Sequence, residues 1–124
     1  MSANSFGEFI REHRLKKRIT LRAFSALINM DPSNYCRIEQ GTEKPPANPN
    51  KLHAIARILD IPIESEDYKE LERLADIGRG NIPRAFMSDE ELVGKLPVFF
   101  RTIDQKEIDG KMLDRLIETI RAEF

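Results

Sequence analysis

The eleven residues Asp31 to Gly41, DPSNYCRIEQG, hold a compact set of hydrogen-bonding side chains. A proline near the start and a glycine at the end bracket about two helical turns. Ser33, Asn34 and Arg37 sit between them, and none of the three suits a core. A hydroxyl, an amide and a guanidinium fork donate and accept hydrogen bonds at defined geometry. That is the chemistry of recognition rather than of bond making. The rest of the chain offers little else: no Ser/His/Asp or Cys/His set has supporting context. One cysteine and two histidines, at positions 36, 13 and 53, have no metal-ligand spacing. No catalytic residue, metal or cofactor is therefore expected, and the chain is read as a non-enzyme. His13 and His53 are read as packed or surface residues. Glu66, Asp67, Glu70 and Glu72 read as a solvated helix face, and Asp89, Glu90 and Glu91 as a helix start complementing its dipole.

The 124 residues suit one domain, or one domain with an appendage. Apolar residues make up 40% and charged residues 33%, which places the chain among globular proteins rather than disordered ones. No apolar run is long enough for a membrane span. The start, MSANSFGEFI, lacks the basic-then-apolar order of a signal peptide. A single cysteine fits a reducing cytoplasm, the expected location. The net charge of -1 conceals an asymmetry: residues 1–62 carry ten Lys/Arg against six Asp/Glu, and residues 63–124 carry ten against fifteen. A basic front and an acidic back are compatible with a nucleic-acid-binding head and a different tail.

Apolar periodicity predicts helices almost throughout. Residues 5–17 place Phe6, Phe9, Ile10 and His13 on one face, with Ser5 and Glu8 as a capping box. Residues 20–29 start at Thr20 and direct Leu21, Phe24, Leu27 and Ile28 inward, with Asn29 in a left-handed cap position. Asp31 caps a helix beginning at Pro32 and running to Gln40, and Gly41 stops it. The prolines at 45, 46 and 49 make residues 42–50 a loop. Further helices are expected over 49–59 and 64–77, the latter stopped at Gly78. Residues 79–86 read as a linker or strap. Ser88 is expected to cap a helix, Pro97 to begin another turn, and Lys111 to Phe124 to form an amphipathic helix with Met112, Leu113, Leu116, Ile117 and Ile120 as its stripe.

Two short helices joined by a tight turn have the layout of a helix-turn-helix. The run IREHRLKKRITLRAFSALINMDPSNYCRIEQG resembles the phage Cro/C1-type, or XRE-type, helix-turn-helix regulators. Arg11, Arg14, Ile19, Thr20, Phe24, Met30, Asp31, Tyr35, Ile38, Glu39 and Gly41 match the family pattern, and KLHAIARILDI is similar to its fourth helix. The likeness spans residues 5–62. Leu21 stands where many members have Gln, Ser25 where Ala is usual and Asn29 where Gly is usual. The resemblance implies an all-α, lambda-repressor-like five-helix domain over residues 1–78, with residues 79–124 a helical extension. It also implies that the helix 32–40 lies in the major groove of double-stranded DNA, with Pro32, Ser33, Asn34 and Arg37 against base edges. Base-edge chemistry agrees: Arg pairs with guanine O6 and N7, Asn with adenine N6 and N7. Phosphate contacts are expected from Lys17, Arg18, Arg22 and Lys44. Glu39 is expected to pair with Arg11 or Arg14.

The expected function is sequence-specific transcriptional regulation, by repression at a promoter or operator. Regulators of this type bind as symmetric dimers, so a homodimer supported by the extension is expected. The rival is an antitoxin-like interaction protein, whose tail over residues 88–124 would bind a protein partner.

Overall fold

The computed structural model describes residues 5–123. Residues 1–4 of the stretch with no signal-peptide pattern, and Phe124 of the last amphipathic segment, lie outside the described residues. The protein is all-α, with eight helices and no strand among the described residues. They fall into two compact units, one ending at Arg84 and one beginning at Ala85.

The first unit contains α1 (Phe6–Lys16), α2 (Leu21–Leu27), α3 (Pro32–Gln40), α4 (Pro49–Ile58) and α5 (Glu66–Gly78). Each begins at a side-chain cap. Ser5, Thr20, Asp31, Asn48 and Ser65 accept from the backbone N–H of Glu8, Ala23, Asn34, Asn50 and Tyr68 respectively, satisfying donors that a helix start leaves unpaired. α3 ends at Gly41, whose φ of 82° lets the Gly41 and Thr42 N–H groups fold back onto the Ile38 and Arg37 carbonyls. α5 continues through Gly78 rather than stopping before it. The left-handed residue that ends it is Gly80, φ 81°. Gly78 instead makes room for the loop after α3, since a Cβ there would lie 2.7 Å from Pro45 Cγ.

α1 packs on α3 and α5, α2 on α3, and α4 on α5. The core between them is aromatic and aliphatic, centred on Phe9, Ile10, Phe24, Tyr35, Ile55 and Leu71. Leu27 departs from expectation: it points to solvent at 60% exposure, because α2 closes with Ile28 turned inward instead. His13 stacks on Phe9 with ring centroids 4.2 Å apart, its Nδ1 2.9 Å from the Phe9 carbonyl oxygen.

The segment after α5 is more structured than a linker. The carboxylate of Asp76, buried at 5% exposure, accepts from the Arg84 backbone N–H at 3.2 Å and from its guanidinium at 2.8 and 3.2 Å. Those bonds hold the Asp76 pKa below the usual carboxylate value, against the opposing effect of burial.

The second unit contains α7 (Glu90–Gln105) and α8 (Gly110–Glu123), preceded by the short α6 (Arg84–Met87). Asp89, not Ser88, caps α7: its side chain accepts from the Glu91 and Leu92 N–H groups, while the Ser88 hydroxyl donates to the Ala85 carbonyl. α7 runs straight through Pro97, which begins no new helix. Proline already has a helical φ. Its penalty is one lost hydrogen bond and crowding of the preceding turn, about 3 kcal/mol, rather than an absolute stop. No residue of α6, α7 or α8 is buried. No helix among the described residues is long and apolar enough to cross a membrane.

Candidate nucleic-acid interface

α3 is two-faced. Tyr35 and Ile38 are buried at 1% and 4% exposure, while Ser33 and Arg37 are exposed and Pro32 and Asn34 are half-buried. The Asn34 Oδ1 accepts from Arg37 Nη2 at 3.4 Å, so two of the expected base-reading groups are neighbours on one ridge. Cys36 is half-buried beside them.

Three devices fix the pose of α3. The first is the turn from α2. Asn29 takes φ 55°, and the Met30 N–H returns to the Ser25 carbonyl at 2.8 Å. Ser25 is fully buried, and its hydroxyl is satisfied by the Arg22 carbonyl at 2.9 Å. A larger side chain at 25 would hold the helices apart. Lys51 braces the same turn from α4, its Nζ donating to the Ile28 carbonyl at 2.7 Å. The second device is aromatic, with the Phe24 and Tyr35 rings 5.1 Å apart.

The third device is ionic. Arg14 on α1 donates to both Glu39 carboxylate oxygens, from Nε at 2.7 Å and Nη2 at 3.0 Å, and from Nη1 to the Ile19 carbonyl at 2.9 Å. The partner of Glu39 is thus Arg14, and Arg11 is exposed. Hydrogen bonding to Glu39 raises the Arg14 pKa further above its usual value. The Tyr35 hydroxyl is buried close by without a hydrogen bond of regular geometry. Burial first, and then Glu39, push its pKa far up, so it stays protonated. Gly7 lets α1 approach this closely: a Cβ there would lie 2.4 Å from the Glu39 carbonyl oxygen.

The expected phosphate-contacting residues lie on the segments flanking α3. Lys17 and Arg18 occupy the α1–α2 connection, Arg22 the first turn of α2, and Lys44 the loop after α3; all four are exposed. Arg18 has φ 57°. Lys17 is engaged: its Nζ forms an ion pair with Asp60 just past α4. Charge placement follows a pattern. The first turns of α2, α3 and α4 hold no acidic residue, whereas those of α5 and α7 hold Glu66 and Asp67, and Glu90 and Glu91. Acids at a helix start neutralise its positive end. α3 has its own acid one residue earlier, the capping Asp31, and α1 has Glu8 in its first turn.

Gly7 and Lys51 are positioning residues with no mark in the local sequence pattern, since each acts on backbone far along the chain. The chain matches no family model, no curated protein and no solved structure.

Proposed function

We propose that the protein is a sequence-specific double-stranded-DNA-binding regulator of transcription, acting in the cytoplasm as a repressor at a promoter or operator. Its first unit is a lambda-repressor-like helix-turn-helix domain of the XRE type. α3 enters the major groove, which is wide enough to admit a helix. One observation carries this reading: a nine-residue helix, held on its inner side by Tyr35, Ile38 and the Arg14–Glu39 pair, turns Ser33, Asn34 and Arg37 outward. A rigid mount matters because bidentate base contacts discriminate only when the side chains are held in register.

Pro32 fixes the start of the helix and packs against the duplex edge. Arg37 donates to guanine, Asn34 pairs with adenine, and Ser33 serves either partner. Arg18, Arg22, Lys44 and Lys17 contact phosphates and set affinity. The test is selection of bound duplexes from random DNA, using wild type, Arg37→Ala and Asn34→Ala. Each variant should lose preference at a single base position, worth about 1–3 kcal/mol. Absence of duplex binding at modest salt, or unchanged base preference in both variants, rejects the reading.

A further inference from the structure

The first unit contains a cavity of about 140 Å³, partly open to solvent, in which none of the DNA-facing residues takes part. Three helix ends meet around it: the start of α1 at Ser5 to Gly7, the end of α3 at Ile38 and Gly41, and the end of α5 at Gly78. Phe6 and Ile38, at 2% and 4% exposure, give it apolar walls together with Pro45 from the loop after α3. Gly7 and Gly78 add no side chain to fill the space. A Cβ would lie 2.4 Å from the Glu39 carbonyl oxygen at the first and 2.7 Å from Pro45 Cγ at the second, so the walls stand close only because both are glycine.

The charge around this space has one sign. Glu43 is the one charged side chain among the residues that line it. Its Oε1 accepts from the Lys44 backbone N–H at 3.2 Å, which leaves Oε2 open to a donor. The C-terminal ends of α3 and α5 each contribute about half a negative elementary charge. The start of α1 opposes them with its positive end, and Glu8 in its first turn offsets that. Lys44 and Arg79 are close in the chain, but neither lines the cavity, and Arg79 Nη1 is engaged by the Pro45 carbonyl at 3.3 Å.

Size and sign together define a ligand. An apolar cavity of roughly 150 Å³ accepts benzene, so this one holds a single small ring. The geometry points to a binding site for a small organic ammonium ion, with its ring against Phe6 and Ile38 and its charged head donating to Glu43. The negative helix ends favour the same head and repel a carboxylate in its place. A ligand seated there touches α1, α3 and α5 at once, and it stabilises the first unit by mass action. The inference stands apart from DNA reading, and its test uses no DNA.

The experiment titrates the nitrogen-15-labelled full-length protein with benzylammonium, benzyl alcohol and benzoate, and follows the glycine amide signals by nuclear magnetic resonance. Benzylammonium should move the Gly7, Gly41 and Gly78 signals saturably. Gly94 and Gly110, which lie in the second unit, should stay in place and serve as internal controls. Glu43→Gln, at an exposed position, should keep the wild-type spectrum and bind benzylammonium about threefold more weakly, the scale of one exposed ion pair. Benzyl alcohol should bind wild type with a similar deficit, and benzoate more weakly still. No saturable movement of the three glycines, equal binding of benzoate and benzylammonium, or undiminished binding of benzylammonium by Glu43→Gln overturns the assignment.

Discussion

Glu39 receives two hydrogen bonds from the Arg14 guanidinium, and both side chains are nearly sealed from water, at 5% and 8% exposure. The pair ties α1 to the C-terminal half of α3. It therefore holds the outward-facing ridge without taking part in it. Buried charges of this kind are costly to leave alone and far less costly to remove together.

Glu39→Ala should destabilise the first unit by about 3–5 kcal/mol, because the Arg14 charge is left buried without its partner. Arg14→Met combined with Glu39→Leu should recover most of that loss. Urea denaturation of the three proteins decides it. A double variant less stable than Glu39→Ala would show that the pair contributes net attraction rather than position.

Two glycines in helices should respond oppositely to alanine. At Gly7 the added methyl meets α3 backbone at 2.4 and 2.6 Å, which cannot rotate away. Gly7→Ala should cost about 1–3 kcal/mol through overpacking. Gly94 has open space around it, so Gly94→Ala should strengthen α7 by up to about 1 kcal/mol. Thermal melts of both variants give the comparison, and the same sign at both sites would contradict it.

The acid limb of stability should contain a contribution from Asp76. Its folded pKa lies below the ordinary 3.8, chiefly through the Arg84 hydrogen bonds. The unfolded chain takes up this proton at a higher pH than the folded one does. The stabilisation is therefore complete above the unfolded pKa and is lost as pH falls through the folded value. Asp76→Asn should flatten the decline of stability between pH 5 and 2, within about that window. Parallel wild-type and variant curves would rule Asp76 out as a source.

Lys17 and Lys44 should differ in DNA binding although both are exposed lysines. Lys44→Ala should weaken all duplexes alike and reduce the slope of log affinity against log salt by about one. Lys17 is already engaged by Asp60, so its alanine variant should do less. Asp60→Asn should free it and tighten binding without changing sequence preference. Asp60 has φ 57°, a conformation that asparagine accepts, so the variant keeps the turn. Filter binding over a salt series measures both, and weaker binding by Asp60→Asn would be the contrary result.

Periodicity and cap chemistry carry the first unit a long way. Thr20, Asp31, Asn29 and Gly41 each mark a boundary that the structure keeps, because capping is a contest settled within a few residues. The choice between Arg14 and Arg11 is also present in the pattern. Arg14 lies four residues beyond Ile10 and eight beyond Phe6, on the buried stripe, whereas Arg11 is a step off it. What local pattern does not hold is anything decided at a distance. Gly7 is needed only because the Glu39 carbonyl arrives there. Asp76 is buried only because Arg84 folds back over it, and Leu27 is exposed because Ile28 fills the inward place. Pro97 misleads for another reason: a local stop signal carries less energy than its reputation suggests. Which helices form is thus readable from near neighbours, and how α3 is mounted is not. The DNA-contacting assignments rest on outward placement in α3, a matter of helix phase that the sequence does contain.

Cys36 is the chain's one thiol, and it stands half-covered on α3 between Tyr35 and Arg37. A maleimide dye would therefore attach at one address, on the segment assigned to the groove. Its rate of attachment, followed with and without a duplex, becomes a clock for occupancy of that segment, and no engineering of the protein is required to read it.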